Sequence, residues 1–403
     1  MAISRMSKRF ALALLAPLEL VLLPVLTALC AVARLVPKRI VVGLGPEPLV
    51  NNIYHKRALE RQGYMAETFV HTVYFTTRAF DVRADGLFRS PLFQPVRWFY
   101  LFIRAVFRYQ ALYIYFSGGP LHPTAWLWRL EPHLLHLAGV KLVVMPYGAD
   151  VQDLSRCPNP HFKHAMSRDY PGHRHRSRKI ARRIDLWTRH ADHIIAGCDW
   201  VDYLYYWDTL MLAHFSIDVE EWTPPAPEPA DPASPLQILH APNHRHIKGT
   251  QHLIEAVEAL KQEGVAVDLE ILEGVPNDEI RRAIARADIV VDQLIIGWYA
   301  MFAIEAMAMG KPLLCYLRPD LKRFYEGAGL VEPDEIPIVE CSTVTVKETI
   351  RRLALHRETL PEIGRRCRRY VVKHHSLDHV GRVFTAANRS MGLAAGGRTA
   401  ETT

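Results

Sequence analysis

Two basic residues and one carboxylate are the side chains whose types and surroundings best fit a chemical role. Arg245 and Lys248 lie in a loop between a predicted strand and a predicted helix. Glu305 lies in the apolar run 300–309, which predicts a short helix that ends at Gly310. Fixed cations and helix amides bind phosphate groups, and a carboxylate accepts hydrogen bonds from ribose hydroxyls. This combination predicts a binding site for a nucleotide diphosphate.

Two residues in the first half of the chain, each after a predicted strand, are weaker candidates for a functional role. Gly45 follows a strand near 39–43, where a glycine either lets a substrate approach the backbone or makes an ordinary tight turn. Asp150 follows the strand 140–145, where an acid either takes part in chemistry or caps a turn. For Arg245 and Lys248 the alternative is a solvated loop. The apolar neighbours of Glu305 favour a partnered carboxylate over a surface one.

Alternating strands and helices must position these residues. The strands predicted before residue 223 are 39–43, 67–73, 111–116, 140–145 and 192–196, and those after 235 are 236–240, 267–272, 289–292 and 313–317. This alternation indicates α/β domains with mostly parallel sheets. The segment 223–235 between the two sets has six prolines and predicts an extended linker. The predicted fold is therefore α/β, with two doubly wound Rossmann-like domains that face a cleft.

The chain divides into six predicted segments. A hydrophobic membrane-anchor helix is expected first, then the first Rossmann-like domain, the linker, the second Rossmann-like domain, a helix that crosses back to the first domain, and a disordered tail. Their expected ranges are 1–38, 39–222, 223–235, 236–376, 377–391 and 392–403.

The first half of the chain is the basic half. Residues 1–223 contain 27 Lys and Arg against 18 Asp and Glu, a net +9, whereas residues 224–403 contain 22 against 24, a net −2. Such an asymmetry favours contact of the first domain with an anionic surface. Nucleic acid is not expected as a partner, because no recognition motif for it is present. An anionic membrane surface fits better. The six scattered cysteines predict reduced thiols in a cytoplasmic protein.

The apolar stretch 10–33 supports the membrane interpretation. It is long enough to cross a bilayer, and Pro17, Glu19 and Pro24 interrupt it. It predicts a retained anchor or a half-inserted hairpin, with a helix buried in protein and a cleaved signal as the alternatives. The two prolines favour a bent insertion into one leaflet.

The chain resembles the metal-independent, retaining nucleotide-sugar glycosyltransferases of the GT-B fold, the group 1 or family 4-like class. The segment Glu305-Ala-Met-Ala-Met-Gly310-Lys-Pro312 reproduces the second half of that family's Glu, seven residues, Glu pattern. The resemblance spans about 39–390 and is strongest over 236–317. It implies that 39–222 is the acceptor-side domain and that 236–376 is the domain that binds the nucleotide sugar. It implies that Glu305 binds the donor ribose, that Lys248 and Arg245 bind the pyrophosphate, and that Glu305 and Lys248 are catalytic.

The resemblance implies further donor contacts around these residues. The loop 272–276 resembles the segment that holds the nucleobase. The remaining expected donor contacts are Glu273, Gly274, Val275, Gly297, Met301, Phe302 and, from the first domain, Gly45.

The sequence departs from the family pattern at two places. Gly297 stands where the first Glu of the pattern is expected, and in the family that carboxylate contacts the transferred sugar. A strand end that often carries His-Gly here reads Met-Pro-Tyr-Gly-Ala-Asp, so Tyr147 or Asp150 replaces a histidine that contacts the sugar. Asp150 is therefore the third expected catalytic residue.

The predicted activity is transfer of a sugar from a nucleotide-diphosphate donor to a lipid-linked or surface-polysaccharide acceptor. The expected partners are the nucleotide sugar, that acceptor and the membrane, at the cytoplasmic face of the inner (plasma) membrane. No cofactor and no metal are expected, and the chain has no Asp-x-Asp motif. The alternatives are a non-catalytic partner subunit of the same fold that binds a nucleotide sugar, and a nucleotide-sugar epimerase.

Overall fold

Two parallel sheets, one in each half of the chain, form the framework of the protein. The computed structural model describes residues 2–73, 77–88, 90, 94–226 and 234–397, with side chains from residue 16 onward. The predicted α/β class and the two Rossmann-like sheets are confirmed. Residues 227–233 of the predicted linker and 398–403 of the predicted disordered tail lie outside the described residues.

The first sheet has, within the described residues, seven parallel strands in the order β3-β2-β1-β4-β5-β6-β7. The strands are β1 Ile40–Leu44, β2 Ala66–Val70, β3 Val82–Arg83, β4 Tyr109–Tyr115, β5 Lys141–Met145, β6 His193–Ala196 and β7 Thr209–Leu210. Its helices are α2 Asn51–Arg61, α3 Ala84–Leu87, α4 Gln94–Arg108, α5 Glu131–Leu137, α6 Pro160–Asp169 and α7 Ser177–His190. β1 reads Ile-Val-Val-Gly-Leu and is buried after its first residue, because helices cover both faces of a parallel sheet.

The second sheet has five parallel strands in the order β12-β11-β10-β8-β9 among the described residues. The strands are β8 Leu236–His240, β9 Val267–Ile271, β10 Ile289–Val291, β11 Leu313–Cys315 and β12 Val339–Glu340. The helices are α8 Arg245–Lys248, α9 Thr250–Gln262, α10 Asn277–Arg286, α11 Met301–Ala308, α12 Pro319–Gly327, α13 Val346–Leu355, α14 Leu360–His374 and α15 Leu377–Ser390. The predicted strands are all present, and the short β3, β7 and β12 are additions.

The carboxyl ends of the two sheets face each other. The amide of Asn159, in the segment that follows β5, donates to the carbonyl of Ile295 in the loop after β10 at 2.8 Å. The Trp298 indole donates to the Leu212 carbonyl at 2.9 Å. Because ligands of doubly wound sheets bind at the carboxyl ends of the strands, the cleft between the sheets is the place to look for a site.

The N-terminal helix α1 runs from Ala2 to Leu35 without a break at its two prolines. Residues 16–35 are long and apolar enough to cross a membrane by length and composition. One stripe of α1, which includes Leu26, Cys30 and Ala33, is buried against α4 and α5. The Glu19 carboxylate accepts hydrogen bonds from the amides of residues 125, 126 and 127 at 2.7–3.2 Å. Protein packing therefore accounts for the acidic residue in this apolar stretch.

The C-terminal helix α15 returns to the first domain and packs on α2. Tyr113 in β4 donates to the Asn388 side chain at 2.9 Å, and a Cβ on Gly381 would lie 2.5 Å from the Ala58 carbonyl. Beyond α15, Leu393 is buried and the Gly396 amide donates to the Gly63 carbonyl at 3.1 Å. Leu393 and Gly396 of the predicted tail therefore lie against the first domain.

Candidate functional site

Lys248 forms a buried ion pair with Asp292, the residue that follows β10. The Lys248 side chain is 11% exposed and the Asp292 side chain is fully buried. Gly249 adopts a left-handed conformation that ends α8 and starts α9, which holds Lys248 at the carboxyl edge of the sheet. Oδ2 of Asp292 has no hydrogen-bond partner among the described residues. Lys248 is therefore fixed by a buried carboxylate and does not belong to a solvated loop.

Glu305 lies in the middle of α11 and is 6% exposed. Burial raises the pKa of Glu305 from 4.5 to about 8. The nearby Asp292 carboxylate adds to the rise, and a hydrogen bond with the Asn277 side chain opposes it. Two carboxyl groups and one ammonium group thus share the edge where β8 and β10 end. A buried carboxyl group with a strongly raised pKa and a second charged group nearby is typical of a functional site.

Arg245 lies at the rim of this cluster and is paired with Glu273. Its Nη2 lies 2.6 Å from Oε2 of Glu273, and the Arg245 side chain is 53% exposed. It also lines a cavity of about 700 Å³ between α6 and α9. Gly274 has φ +66°, and a Cβ there would meet nothing within 4 Å, so the predicted nucleobase loop is open on one side. Arg245 therefore contacts Glu273, whereas Lys248 contacts Asp292.

Gly297 cannot be replaced by a glutamate on this backbone. Its φ is +102°, and a Cβ would lie 2.5 Å from Cγ of Arg318. The Arg318 guanidinium is itself held by ion pairs with Asp202 in the first domain and Asp320. The loop at Gly297 therefore packs against an arginine that bridges the two domains.

Met301 and Phe302 both have packing roles. Met301 packs on a small cluster that includes Tyr54 of α2 and Leu377 of α15. Phe302 packs against the main hydrophobic core. Val275 is half-buried in the loop after β9. Met301 thus brings the start of α11 against the first domain.

Asp150 has one satisfied and one free carboxylate oxygen. Oδ1 accepts the amides of Tyr147 and Gly148 at 3.0 Å each, whereas Oδ2 is buried without a partner among the described residues. Burial raises the pKa of Asp150 from 3.8 to about 7, and the charge of Glu47 adds to the rise. One oxygen of Asp150 therefore caps the turn, and the chemical role of the other stays a prediction.

Gly45 has a packing reason to be a glycine. A Cβ at this position would lie 2.1 Å from the carbonyl oxygen of Phe69 in β2. Close approach between the ends of β1 and β2 thus requires a glycine there. Packing against β2 therefore accounts for Gly45, and its contact with a donor stays a prediction.

Sequence reasoning missed several side chains that the fold brings to the site. Burial raises the pKa of Tyr54 to about 12, and the charge of the nearby Glu305 adds to the rise. Burial lowers the pKa of Arg183 in α7, and the charges of Asp150 and Glu47 act in the opposite direction. Asp292 alone had a signal, because it ends a predicted strand, whereas Tyr54 and Arg183 lie in ordinary helical sequence.

Comparisons with known proteins agree with this architecture. Residues 245–386 match a family described as glycosyl transferase-like. Sucrose-phosphate synthase from Thermosynechococcus elongatus is similar over 87% of this chain and 98% of its own, with a TM-score of 0.56 and 13% identity. Anabaena HepE, in a complex with UDP, is similar over 87% of this chain and 100% of its own, with a TM-score of 0.56 and 12% identity. No curated protein sequence matches this chain. The fold and the family match indicate a glycosyltransferase of the GT-B type.

Proposed function

We propose that this protein transfers a sugar from a nucleotide-diphosphate donor to a membrane-associated acceptor. The acceptor would be a lipid-linked sugar or a surface polysaccharide, and the reaction would need no metal and would retain the configuration of the transferred carbon. The observation that carries the proposal is the buried cluster of Lys248, Asp292 and Glu305 at the carboxyl edge of the second sheet. UDP in the HepE complex makes uridine diphosphate the first nucleotide to test.

The cluster suits a departing nucleotide diphosphate. In this proposal Glu305 accepts hydrogen bonds from the ribose hydroxyls. The Lys248 ammonium faces the pyrophosphate, and Asp292 holds that ammonium in place. Negative charge grows on the phosphate as the bond to the sugar breaks, and a fixed donor that stabilises such charge lowers the barrier by about 3 kcal/mol. Arg245 would reach the same phosphates after release from Glu273.

Asp150 and Arg183 would form the opposite wall. Oδ2 of Asp150 is the buried acceptor that lacks a partner among the described residues, so it is available to a sugar hydroxyl. The resemblance to retaining enzymes is the ground for proposing retention, in which the acceptor hydroxyl enters on the face from which the phosphate leaves.

Thermal unfolding with UDP, GDP, ADP and TDP tests the proposal. A nucleotide at about 100 times its dissociation constant adds about 2.7 kcal/mol of stability. We expect one of the four nucleotides to raise the melting temperature of the wild type selectively, and we expect no such rise in Lys248→Ala. Lys261→Ala is the matched control, because Lys261 also pairs with an aspartate, at 2.8 Å, but lies exposed on α9. No stabilisation of the wild type by any of the four nucleotides would overturn the proposed donor site.

A further inference from the structure

A groove on the outer surface of the first domain has no part in the proposed donor site. It is a cavity of about 500 Å³ between the segment that follows α1 and the outer face of α4. Its walls combine apolar or aromatic side chains with cations: Tyr100, Ile103, Phe107, Arg39, Arg104 and Arg108. A mixture of this kind suits a ligand that is anionic at one end and apolar at the other.

An exposed apolar stripe of α1 ends beside this groove, because its last residue, Leu35, directly precedes the lining residue Val36. The side chains of the stripe are spaced three, four or seven residues apart, so they share one side of the helix. They are Leu18, Val21, Val25, Val32 and Leu35, which are 47–83% exposed. On α4, Val96 and Ile103 are 42% and 37% exposed. An apolar surface of this extent marks a contact with a membrane or another molecule.

The charge of the groove is positive. Among the described residues, the carboxylate of Glu67 pairs with two of its arginines, Arg104 at 2.7 Å and Arg108 at 3.1 Å. Arg39 is exposed and has no ion pair among the described residues. Arg34, on the last turn of α1, is also exposed. One carboxylate among the three guanidinium groups of the groove, Arg39, Arg104 and Arg108, leaves an excess of positive charge beside an apolar surface.

We propose that this groove binds the phosphate of an anionic membrane phospholipid while the α1 stripe lies among its acyl chains. A phospholipid fits better than a soluble phosphate, because the arginines adjoin an apolar surface that a soluble phosphate would leave exposed to water. Glu19 holds α1 on the domain, so the protein binds one leaflet instead of crossing the bilayer. This inference deepens the membrane association in the proposed function and rests on it.

Vesicle flotation of the protein tests the groove. Vesicles of phosphatidylcholine with phosphatidylglycerol are compared with vesicles of phosphatidylcholine alone. Each arginine near an anionic surface contributes about fivefold in binding, so Arg39→Ala should lower the affinity for the anionic vesicles about fivefold. Val25→Glu should weaken binding to both kinds of vesicle, because it puts a charge in the lipid-facing stripe.

Arg352→Ala is the matched control, since Arg352 is exposed on α13 of the other domain. We expect it to bind anionic vesicles within about twofold of the wild type. Equal losses in Arg39→Ala and Arg352→Ala, or no loss in Arg39→Ala, would overturn the groove as a lipid site.

Nucleotide-dependent stabilisation of the same variants separates the two proposals. Loss of anionic vesicle binding in Arg39→Ala, with the UDP response of the wild type retained, supports the groove and shows that the variant is folded. Selective vesicle binding without any nucleotide response overturns the donor site and leaves the lipid groove standing.

Discussion

Glu305→Gln is predicted to stabilise the protein in alkaline solution and to have little effect on stability in acid. Burial raises the pKa of Glu305 to about 8, so the folded protein keeps this carboxyl group neutral at pH 7. The unfolded chain ionises it near pH 4.5. Between these values the folded state binds one proton more than the unfolded state, so stability falls as the pH rises from about 4.5 through about 8. Glutamine has the same shape and cannot ionise, so the variant avoids that loss.

The size of the effect follows from the rise in pKa. At about 1.36 kcal/mol for each pKa unit, the rise from 4.5 to about 8 corresponds to a difference of about 5 kcal/mol. Local opening of the site to water relieves part of the cost of ionisation. We therefore expect Glu305→Gln to be more stable than the wild type by about 2 to 5 kcal/mol at pH 9.

Urea unfolding at pH 5, 7 and 9 measures this difference. Glu258→Gln is the control, because Glu258 is an exposed carboxylate on α9 and its replacement tests for a general effect of lost charge. If the stability of Glu305→Gln fell with pH as steeply as that of the wild type, the buried, neutral state of Glu305 would be refuted.

The same carboxyl group makes nucleotide binding depend on pH. Ribose hydroxyls donate to the ionised form of Glu305, so binding should release a proton and should tighten as the pH rises from 7 to 9. Isothermal titration in two buffers of different ionisation enthalpy measures that proton. Glu305→Gln should bind the nucleotide without releasing this proton, and its affinity should not rise between pH 7 and pH 9 for this reason. Weaker wild-type binding at pH 9 than at pH 7 would contradict the assignment of the ribose to Glu305.

Three further substitutions test other parts of the structure. Gly297→Ala should destabilise the protein by about 2 kcal/mol or more, because φ is +102° and Cγ of Arg318 occupies the space for a Cβ, and the melting temperature measures the loss. Glu19→Ala should cost about 2 to 4 kcal/mol by leaving three amides without acceptors, and hydrogen exchange at residues 125–127 should rise. In the wild type the transfer rate should rise as the pH passes about 7, where Asp150 ionises, and Asp150→Asn should lose that limb of the pH profile. A profile for Asp150→Asn that matched the wild type would exclude Asp150 from the rate-limiting step.

The fold was predictable because its signals are local. Apolar runs such as Ile-Val-Val-Gly-Leu in β1 and glycines such as Gly310 at helix ends depend on near neighbours in the chain. They indicated the strands of both sheets and placed Lys248 in a loop after a strand and Glu305 within a short helix. The two-residue strands β3 and β12 escaped prediction, because pairing with a neighbouring strand defines them and their own composition does not.

What surrounds each candidate residue was decided by tertiary structure. The sequence alone determined that Lys248 follows one strand and Asp292 another, but only the parallel pairing of β8 with β10 brings the two side chains into contact. Likewise, the apolar stretch that contains Glu19 predicted a membrane helix from composition alone. The burial of a residue and the charges around it depend on neighbours that are distant in sequence. Only the packing of α1 on the first domain therefore shows which face of α1 contacts protein and which face stays exposed.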